Sequence, residues 1–255
     1  MDVLCTDKTG TLTAGVVEVE GAYGPSGVAC PRVLELAAIN AAFETGLPSP
    51  LDDAILAAHS PAVSSLHKRA EIPFDFTRKR VSTIVEGADG LCLITKGAFQ
   101  HILEVCSELA DGSVLDAAAS GALVRQFETW SAAGIRVLAV ATRTLADASS
   151  FGRETEQGLS FAGLVTFLER PKEGVAEAIA GLSQLGVTLK LITGDTKLVA
   201  IHVAQLVGLL SARVLTGSEL EQLHDEALWI EAERTNLFVE VDPNQKERRR
   251  WSAER

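Results

Sequence analysis

Apolar residues recur with two different periods along this chain, and the changes of period divide it into regions. A short apolar run at 2–5 predicts a buried strand that ends at Asp7. From residue 14 to about 168, helical and alternating patterns are mixed as in an α+β unit with antiparallel strands. From Phe161 onward, apolar runs alternate with helical patterns, which favours a parallel sheet with crossover helices.

The same periodicities predict individual elements. Predicted helices cover residues 31–43, 51–59, 99–109, 117–133, 171–185, 197–207 and 219–228. Predicted strands cover 14–24, 71–85, 91–95, 136–141, 187–192 and 237–241, and the second of these contains the alternating residues Ile72, Phe74 and Phe76. We therefore expect residues 1–13 and 169–255 to form one α/β domain, with residues 14–168 inserted into it.

Residues 5–13, Cys-Thr-Asp-Lys-Thr-Gly-Thr-Leu-Thr, place a carboxylate where the opening strand meets a turn rich in hydroxyl and N–H groups. Open α/β sheets bind ligands beyond the carboxyl ends of their strands. Asp7 could attack phosphorus there if Lys8 and the N–H groups of the turn screen the phosphate charge. Thr9, two residues further on, cannot shuttle protons as a carboxylic acid could, so an aspartyl phosphate should hydrolyse slowly. An Asp that only caps a turn is the alternative.

Two further segments could serve the same phosphate. Thr193, Gly194 and Asp195 follow the apolar strand 187–192, and two strand ends of one parallel sheet can converge on a single ligand. Taken alone, the tripeptide is equally explained as a turn before a helix. Lys246 is a mobile point charge suited to screening a phosphoryl group, and its alternative is a solvated charge on a helix surface.

Residues 74–82 combine aromatic and basic side chains on adjoining positions. Adenine needs a flat apolar face on which to stack, and its phosphates need positive charge, so this segment is a candidate nucleotide pocket. Each member also has a structural alternative: Phe74 could be a core residue, Asp52 an exposed helix charge, and the basic residues 78–80 a solvated strand edge.

Composition narrows the possible partners. The formal net charge of -11 argues against nucleic acid and against an anionic membrane surface, although basic residues cluster at 246–250. No apolar run approaches the roughly 18 to 20 residues that span a bilayer, and no signal peptide is recognised, so we expect a soluble chain. The spacing of Cys5, Cys30, Cys92 and Cys106 indicates neither a disulfide framework nor a zinc site. We therefore expect the chain to reside in a reducing cytosol.

The string Asp-Lys-Thr-Gly-Thr-Leu-Thr at 7–13 resembles the phosphorylation signature of the P-type cation-transporting ATPases, members of the haloacid dehalogenase superfamily. The resemblance implies a Rossmann-like phosphorylation domain of the haloacid dehalogenase type, incomplete at its C-terminus, formed by residues 1–13 and 169–255. It also implies an inserted α+β nucleotide-binding domain with an antiparallel sheet at 14–168. ATP held by the insert would then phosphorylate Asp7 in line.

The resemblance assigns roles to individual residues. Those implied at the phosphate are Asp7 as acceptor, Lys8, Thr9, the second phosphate-binding loop Thr193, Gly194 and Asp195, and Lys246. Those implied at the nucleotide are Asp52 near the adenine amino group, Phe74 stacked on adenine, Lys79, Lys96 and Gly97 in the pocket, and Arg136 toward the phosphates. Mg²⁺ would be held by Asp7, the backbone carbonyl of Thr9 and waters, which is a poor octahedral site.

The sequence of residues 72–82 and 166–168 most resembles that of the magnesium-translocating branch in bacteria, which implies Mg²⁺ as the transported cation. Ion choice, however, is made between membrane helices, and none is recognised in this sequence. The family's hinge, written Asp-Pro-Pro-Arg or Asp-Pro-Pro-Lys, reads Glu-Arg-Pro-Lys at 169–172 and lacks one rigidifying proline.

The family's later Gly-Asp-Gly-x-Asn-Asp loop, its actuator domain and its transmembrane helices do not occur in this sequence. We therefore expect the cytosolic catalytic piece of a larger pump, at the cytosolic face of a bacterial inner membrane, which would need the missing parts for full turnover. Two alternatives stay open at this point. One is an ATP-binding module without phosphoryl transfer, and the other is a free-standing phosphatase of the dehalogenase superfamily, against which Thr9 speaks.

Overall fold

The computed structural model describes residues 2–46, 49–146, 151–209, 213–242 and 245. Its strands are β1 Val3–Asp7, β2 Thr13–Tyr23, β3 His67–Ile72, β4 Arg80–Gly87, β5 Gly90–Ala98, β6 Cys106–Leu109, β7 Arg136–Leu145, β8 Leu159–Pro171, β9 Thr188–Ile192, β10 Val214–Thr216 and β11 Leu237–Val239. Its α-helices are α1 Pro31–Phe43, α2 Pro50–Ala58, α3 Phe99–Leu103, α4 Ala117–Ala132, α5 Val175–Gln184, α6 Lys197–Leu206, α7 Gly217–Gln222 and α8 Asp225–Arg234.

The chain has a mixed α/β fold and divides into two compact units. The parallel-sheet unit comprises Met1–Val16, Ser131–Ile135 and Glu169–Arg255, and the antiparallel-sheet unit comprises Val17–Trp130 and Arg136–Leu168. The assignment of these parts of the chain to phosphorylation and nucleotide binding stays a prediction. Among the described residues, no helix combines the length and the apolar character that crossing a bilayer requires.

The first unit is built on a parallel sheet with the strand order β1-β9-β11-β10. Asp7 at the end of β1 lies opposite Ile192 at the end of β9, so the turns that follow these two strands begin side by side. Leu191 and Val239 from the sheet pack with Ala200 of α6 in the core. The predicted strand ending at Asp7 is confirmed, but its predicted burial is wrong: β1 lies at one edge of this sheet, and its residues alternate between exposed and half-buried.

The second unit is built on a sheet with the order β2-β8-β7-β5-β4-β3, whose successive pairs from β8 to β3 are antiparallel. Helices α1 and α2 bury Leu36 and Ile55 against residues of this sheet such as Ile94. Pro31 occupies the first turn of α1, where its missing N–H is not needed.

The predicted strand through Ile72, Phe74 and Phe76 is wrong, because β3 ends at Ile72 and residues 73–79 form a loop. The side chain of Asp75 accepts hydrogen bonds from the backbone N–H groups of two following residues and thereby folds the chain into a turn. Both aromatic rings consequently lie on a loop rather than on one face of a strand.

Two predicted helices also differ from the structure. The helix expected at 99–109 ends at Leu103, and residues 106–109 instead pair in parallel with β8 as strand β6. The polar helix expected at 219–228 is two helices, α7 and α8, separated at Leu223 and His224. In the first case a strand pairing with a distant segment overrides the local helical pattern.

Candidate functional site

Asp7 is exposed at the carboxyl end of β1 and is followed by the turn Lys8–Leu12. The backbone N–H of Lys8 donates a 2.8 Å hydrogen bond to Asp7 Oδ1, which fixes the orientation of the carboxylate. Gly10 adopts φ 75° in this turn, a left-handed conformation that favours glycine. The carboxylate is thus held at a strand end while it stays accessible from solvent.

Lys8 points in the opposite direction from Asp7, into the protein. Its side chain is 1% exposed, and its ammonium lies 2.6 Å from Glu169 Oε2 and 2.5 Å from Asp195 Oδ2. Lys8 therefore ties the turn after β1 to the turn after β9 through an ion pair. Two carboxylates thus share one buried ammonium.

The turn at 193–195 is fixed to the neighbouring segment after β11. Thr193 donates its N–H to the carbonyl of Phe238 at 2.8 Å and accepts a hydrogen bond from Val241 N–H at 3.1 Å. The Thr193 hydroxyl accepts from Asp195 N–H at 3.1 Å, a bond that uses an oxygen lone pair and leaves the O–H as a donor. A Cβ at Gly194 would meet the nearest atom, the carbonyl oxygen of Val241, at 3.5 Å, so space alone does not demand glycine.

The segment 169–172 holds the Asp7 turn from its other side. Glu169 accepts a hydrogen bond from the hydroxyl of Thr13 as well as from Lys8. Lys172 donates its side-chain ammonium to the Gly10 carbonyl at 2.6 Å and its backbone N–H to Leu12. The Glu-Arg-Pro-Lys segment is thus bonded directly to the turn at both of its ends.

In the antiparallel-sheet unit, Lys96 forms a second buried ion cluster. Its ammonium lies 2.5 Å from Asp52 Oδ1 on α2 and 3.0 Å from Glu44 Oε2, and all three side chains are largely buried. Burial raises the pKa of the Glu44 carboxyl, and the neighbouring Asp52 raises it further while Lys96 lowers it. Asp52 is therefore not the exposed helix charge considered as an alternative.

Gly97 permits a close approach of β4 to β5. A Cβ at this position would lie 2.4 Å from the carbonyl oxygen of Lys79, so a larger residue would displace the backbone. That carbonyl accepts a hydrogen bond from Ala98 N–H at 2.9 Å. Lys79 itself has φ 48°, an unusual value for a residue with a side chain. The backbone of Lys79, just before β4, is in this way joined to the end of β5, next to Gly97.

The aromatic rings of the 73–79 loop face solvent. Phe74 is 43% exposed and Phe76 is 50% exposed, and their rings meet edge to face with centroids 5.4 Å apart. The alternative of Phe74 as a core residue is therefore wrong. Arg80 is 8% exposed and ion-paired, so the basic residues 78–80 are not a solvated strand edge either.

The sequence comparisons identify the family. A family model described as P-type ATPase, cytoplasmic domain N, matches residues 34–174. The chain belongs to the P-type cation-transporting ATPases. It is 42% identical over 259 residues to the "Magnesium-transporting ATPase, P-type 1" of Escherichia coli (strain K12), covering 97% of this chain and 29% of that protein.

Other P-type ATPases are similar over the same part of their length. A protein of the same name from Salmonella typhimurium (strain LT2) is 41% identical over 97% of this chain and 29% of its own length. "Calcium-transporting ATPase 1" of Bacillus cereus is 26% identical over 96% of this chain and 30% of its own length. The chain thus spans less than a third of these P-type ATPases.

The structure locates the residues that the P-type ATPase resemblance implies, with one exception. Lys246 lies outside the described residues. Arg136 begins β7 opposite Phe167 and is half-buried. Sequence reasoning missed Glu44 as a partner of Lys96 and Glu169 as a partner of Lys8. For Glu169, the available signal was that it stands where the family's hinge has an aspartate. For Glu44, nothing in the neighbouring sequence gave a signal.

The predicted Mg²⁺ ligands form an incomplete shell. Among the described residues, no group of three or more His, Cys, Asp or Glu side chains is arranged to hold a metal ion. Asp7 and the carbonyl of Thr9 could supply two oxygens, whereas Mg²⁺ demands six in octahedral geometry. The remaining oxygens would have to come from water and from phosphate, so these side chains alone do not make a Mg²⁺ site.

Proposed function

We propose that this chain is the ATP-binding and phosphoryl-accepting cytosolic part of a magnesium-transporting P-type ATPase. The observation that carries the proposal is an exposed Asp7 carboxylate at a strand end, oriented by the N–H of Lys8 and joined through the Lys8 ammonium to the 193–195 turn. The strand order around this turn supports assigning the parallel-sheet unit to a haloacid dehalogenase-type phosphorylation domain.

The antiparallel-sheet unit would bind the nucleotide. Phe74 offers an exposed ring on which adenine could stack, and Lys79 in the same loop supplies a positive charge. Lys96 lies on β5, where its ammonium pairs with Asp52 and Glu44. Gly97 keeps this region open to a close approach of the two backbones. Arg136 is proposed to reach the phosphates, as the resemblance implies.

In the proposed reaction, an oxygen of Asp7 attacks the γ-phosphorus of ATP. A bond forms between that oxygen and phosphorus, the bond from phosphorus to the β–γ bridging oxygen breaks, and ADP leaves with the electron pair. Thr9 provides no carboxylic acid for rapid hydrolysis, so the acyl phosphate should persist. Mg²⁺ would neutralise phosphate charge when it arrives with the nucleotide.

The relatives with the higher identities are named as magnesium-transporting ATPases, and we infer Mg²⁺ as the cargo of the whole pump. Transmembrane and actuator domains would then be the partners of this chain at the cytosolic face of a bacterial inner membrane. A free-standing phosphatase is disfavoured by Thr9, and an ATP-binding module without phosphoryl transfer stays the second candidate, because the predicted Mg²⁺ shell is incomplete.

Nucleotide binding is tested by calorimetry with ATP and Mg²⁺. Stacking of a base on an aromatic side chain is worth about 1–3 kcal/mol, so Phe74→Ala should raise the Kd about 5- to 150-fold. Val114→Ala removes another exposed apolar side chain of the same unit and should leave the Kd unchanged. An absence of binding by the unaltered chain, or equal Kd values for all three proteins, would contradict this nucleotide site.

A further inference from the structure

The 73–79 loop carries two exposed rings, yet it is held by a dense set of bonds. Asp75 Oδ1 accepts the N–H groups of Thr77 at 3.0 Å and Arg78 at 2.6 Å. The carbonyl of Asp75 accepts the N–H of Lys79 at 2.8 Å. These bonds fix the local turn, but they lie within the loop and do not attach it to the sheet.

The loop is attached at its end, where the Lys79 carbonyl accepts the N–H of Ala98 at 2.9 Å, and through an ion pair of Asp75 with exposed Arg153 at 3.3 Å. Arg78 adds a buried link. Its guanidinium donates to Asp75 Oδ2 and to the carbonyl of Pro73, both at 2.5 Å and both within the loop. Its remaining arm, Nη1, donates to Glu156 Oε2 at 2.5 Å. Glu156 lies 78 positions further along the chain, at the end of the short turn Arg153–Thr155, so this bond links the loop to a different part of the unit.

Glu156 is fully buried, with an exposure of 0%. Besides Arg78 it accepts Arg80 Nε at 3.0 Å and the hydroxyl of Ser82 at 2.6 Å, both from β4. A buried carboxylate is tolerated only when it is paired and hydrogen-bonded, and these donors meet that requirement. One carboxylate therefore bridges strand β4 and the aromatic loop that precedes it.

The partners of Glu156 separate two roles. Arg80 and Ser82 belong to the sheet, and their bonds to Glu156 stabilise the fold. Arg78 belongs to the loop, and its bond to Glu156 determines where Phe74 and Phe76 are presented. We propose that Glu156 is a positioning residue that holds the aromatic loop in the conformation that receives the base. This inference rests on the proposed nucleotide site, for which Glu156 was not among the predicted residues.

The two roles can be measured separately through Arg78→Met, which cuts the loop from Glu156 but leaves Arg80 and Ser82 in place. We expect this variant to raise the Kd for ATP about tenfold and Glu156→Gln to do the same. The double variant should bind ATP no more weakly than Arg78→Met, because Arg78→Met already removes the link to Glu156 together with the bonds of Arg78 to Asp75 and Pro73. The matched control is Arg69→Met on β3, which breaks an exposed ion pair with Glu86 on β4 and should bind as the unaltered protein does.

The loop itself is observed by fluorine NMR after incorporation of fluorophenylalanine, with resonances assigned through Phe74→Leu and Phe76→Leu. The edge-to-face pair should give two dispersed resonances in the unaltered protein, and these should move toward the free amino acid in Arg78→Met. This readout needs no ligand. If the unaltered chain bound no ATP, the proposed function would fail while the loop measurement could still succeed.

The positioning role is overturned if Arg78→Met keeps both resonances and the original Kd. It is equally overturned if Arg78→Met and Glu156→Gln weaken ATP binding by independent, multiplying factors. Should Glu156→Gln fail to fold, Arg78→Met alone decides the question, because it leaves the buried carboxylate with its two sheet partners.

Discussion

Replacing Lys8 by methionine should destabilise the parallel-sheet unit strongly. The substitution keeps a long apolar stem but removes the ammonium that pairs with Glu169 and Asp195, which are 6% and 3% exposed. Both carboxylates then stay buried without the ammonium that pairs with them. Removing one partner of a buried ion pair costs about 3–5 kcal/mol, chiefly because the remaining charge stays buried and unpaired.

Equilibrium unfolding in urea measures this cost. Trp229 on α8 reports on the parallel-sheet unit in a background where Trp130 and Trp251 are replaced by phenylalanine. With a typical slope of about 2 kcal/mol per molar urea, the expected loss corresponds to a midpoint lower by about 2 M. The control is Arg213→Met, which breaks an ion pair whose arginine is 51% exposed and should cost at most about 1 kcal/mol.

A second variant tests the cause. Adding Glu169→Gln and Asp195→Asn to Lys8→Met removes the unpaired charges, and most of the lost stability should return. If Lys8→Met shifted the midpoint no more than Arg213→Met, or if the triple variant were less stable still, the buried cluster would not carry the energy assigned to it.

Two further predictions concern titratable groups of the antiparallel-sheet unit. Because burial raises the pKa of Glu44 above 4.5, its contribution to stability is present at low pH and lost as the pH rises through the folded pKa. Glu44→Gln should therefore flatten the pH dependence of the urea midpoint above pH 4.5, and an unchanged slope would contradict this. Burial raises the pKa of the Cys106 thiol to about 12, so near pH 8 iodoacetamide should alkylate exposed Cys5 long before Cys106, as peptide mass spectrometry would show.

Elements whose stability is set by their own sequence were predictable. The helix expected at 31–43 coincides with α1, because an apolar stripe at helical spacing follows a proline suited to the first turn. The segment 73–79 was not, since alternating aromatics have the period of a strand while Asp75 folds the backbone into a turn. Strand β6 was also missed, because its pairing with β8 comes from a distant part of the chain.

In the candidate sites, too, local features were predictable from the sequence and contacts with distant segments were not. The motifs indicated side chains for a phosphate site, and that role stays a prediction, but Asp7 and Thr193 do lie at neighbouring strand ends. The ion-pair partners of Lys8 and Lys96 were not predictable, because they come from remote segments of the chain. Glu169 is 161 positions from Lys8, and Glu44 is 52 positions from Lys96, so only the folded chain brings each pair together.

The central claim is that an oxygen of Asp7 accepts the terminal phosphoryl group of ATP. The most direct measurement is incubation of the chain with γ-³²P-labelled ATP and Mg²⁺, followed by acid quenching and mapping of the labelled peptide. We expect an acid-stable, hydroxylamine-labile label on Asp7 that is absent in Asp7→Asn and retained in Asp2→Asn, which alters an exposed carboxylate just before the same strand. ATP binding without any label, or a label on another residue, would contradict it.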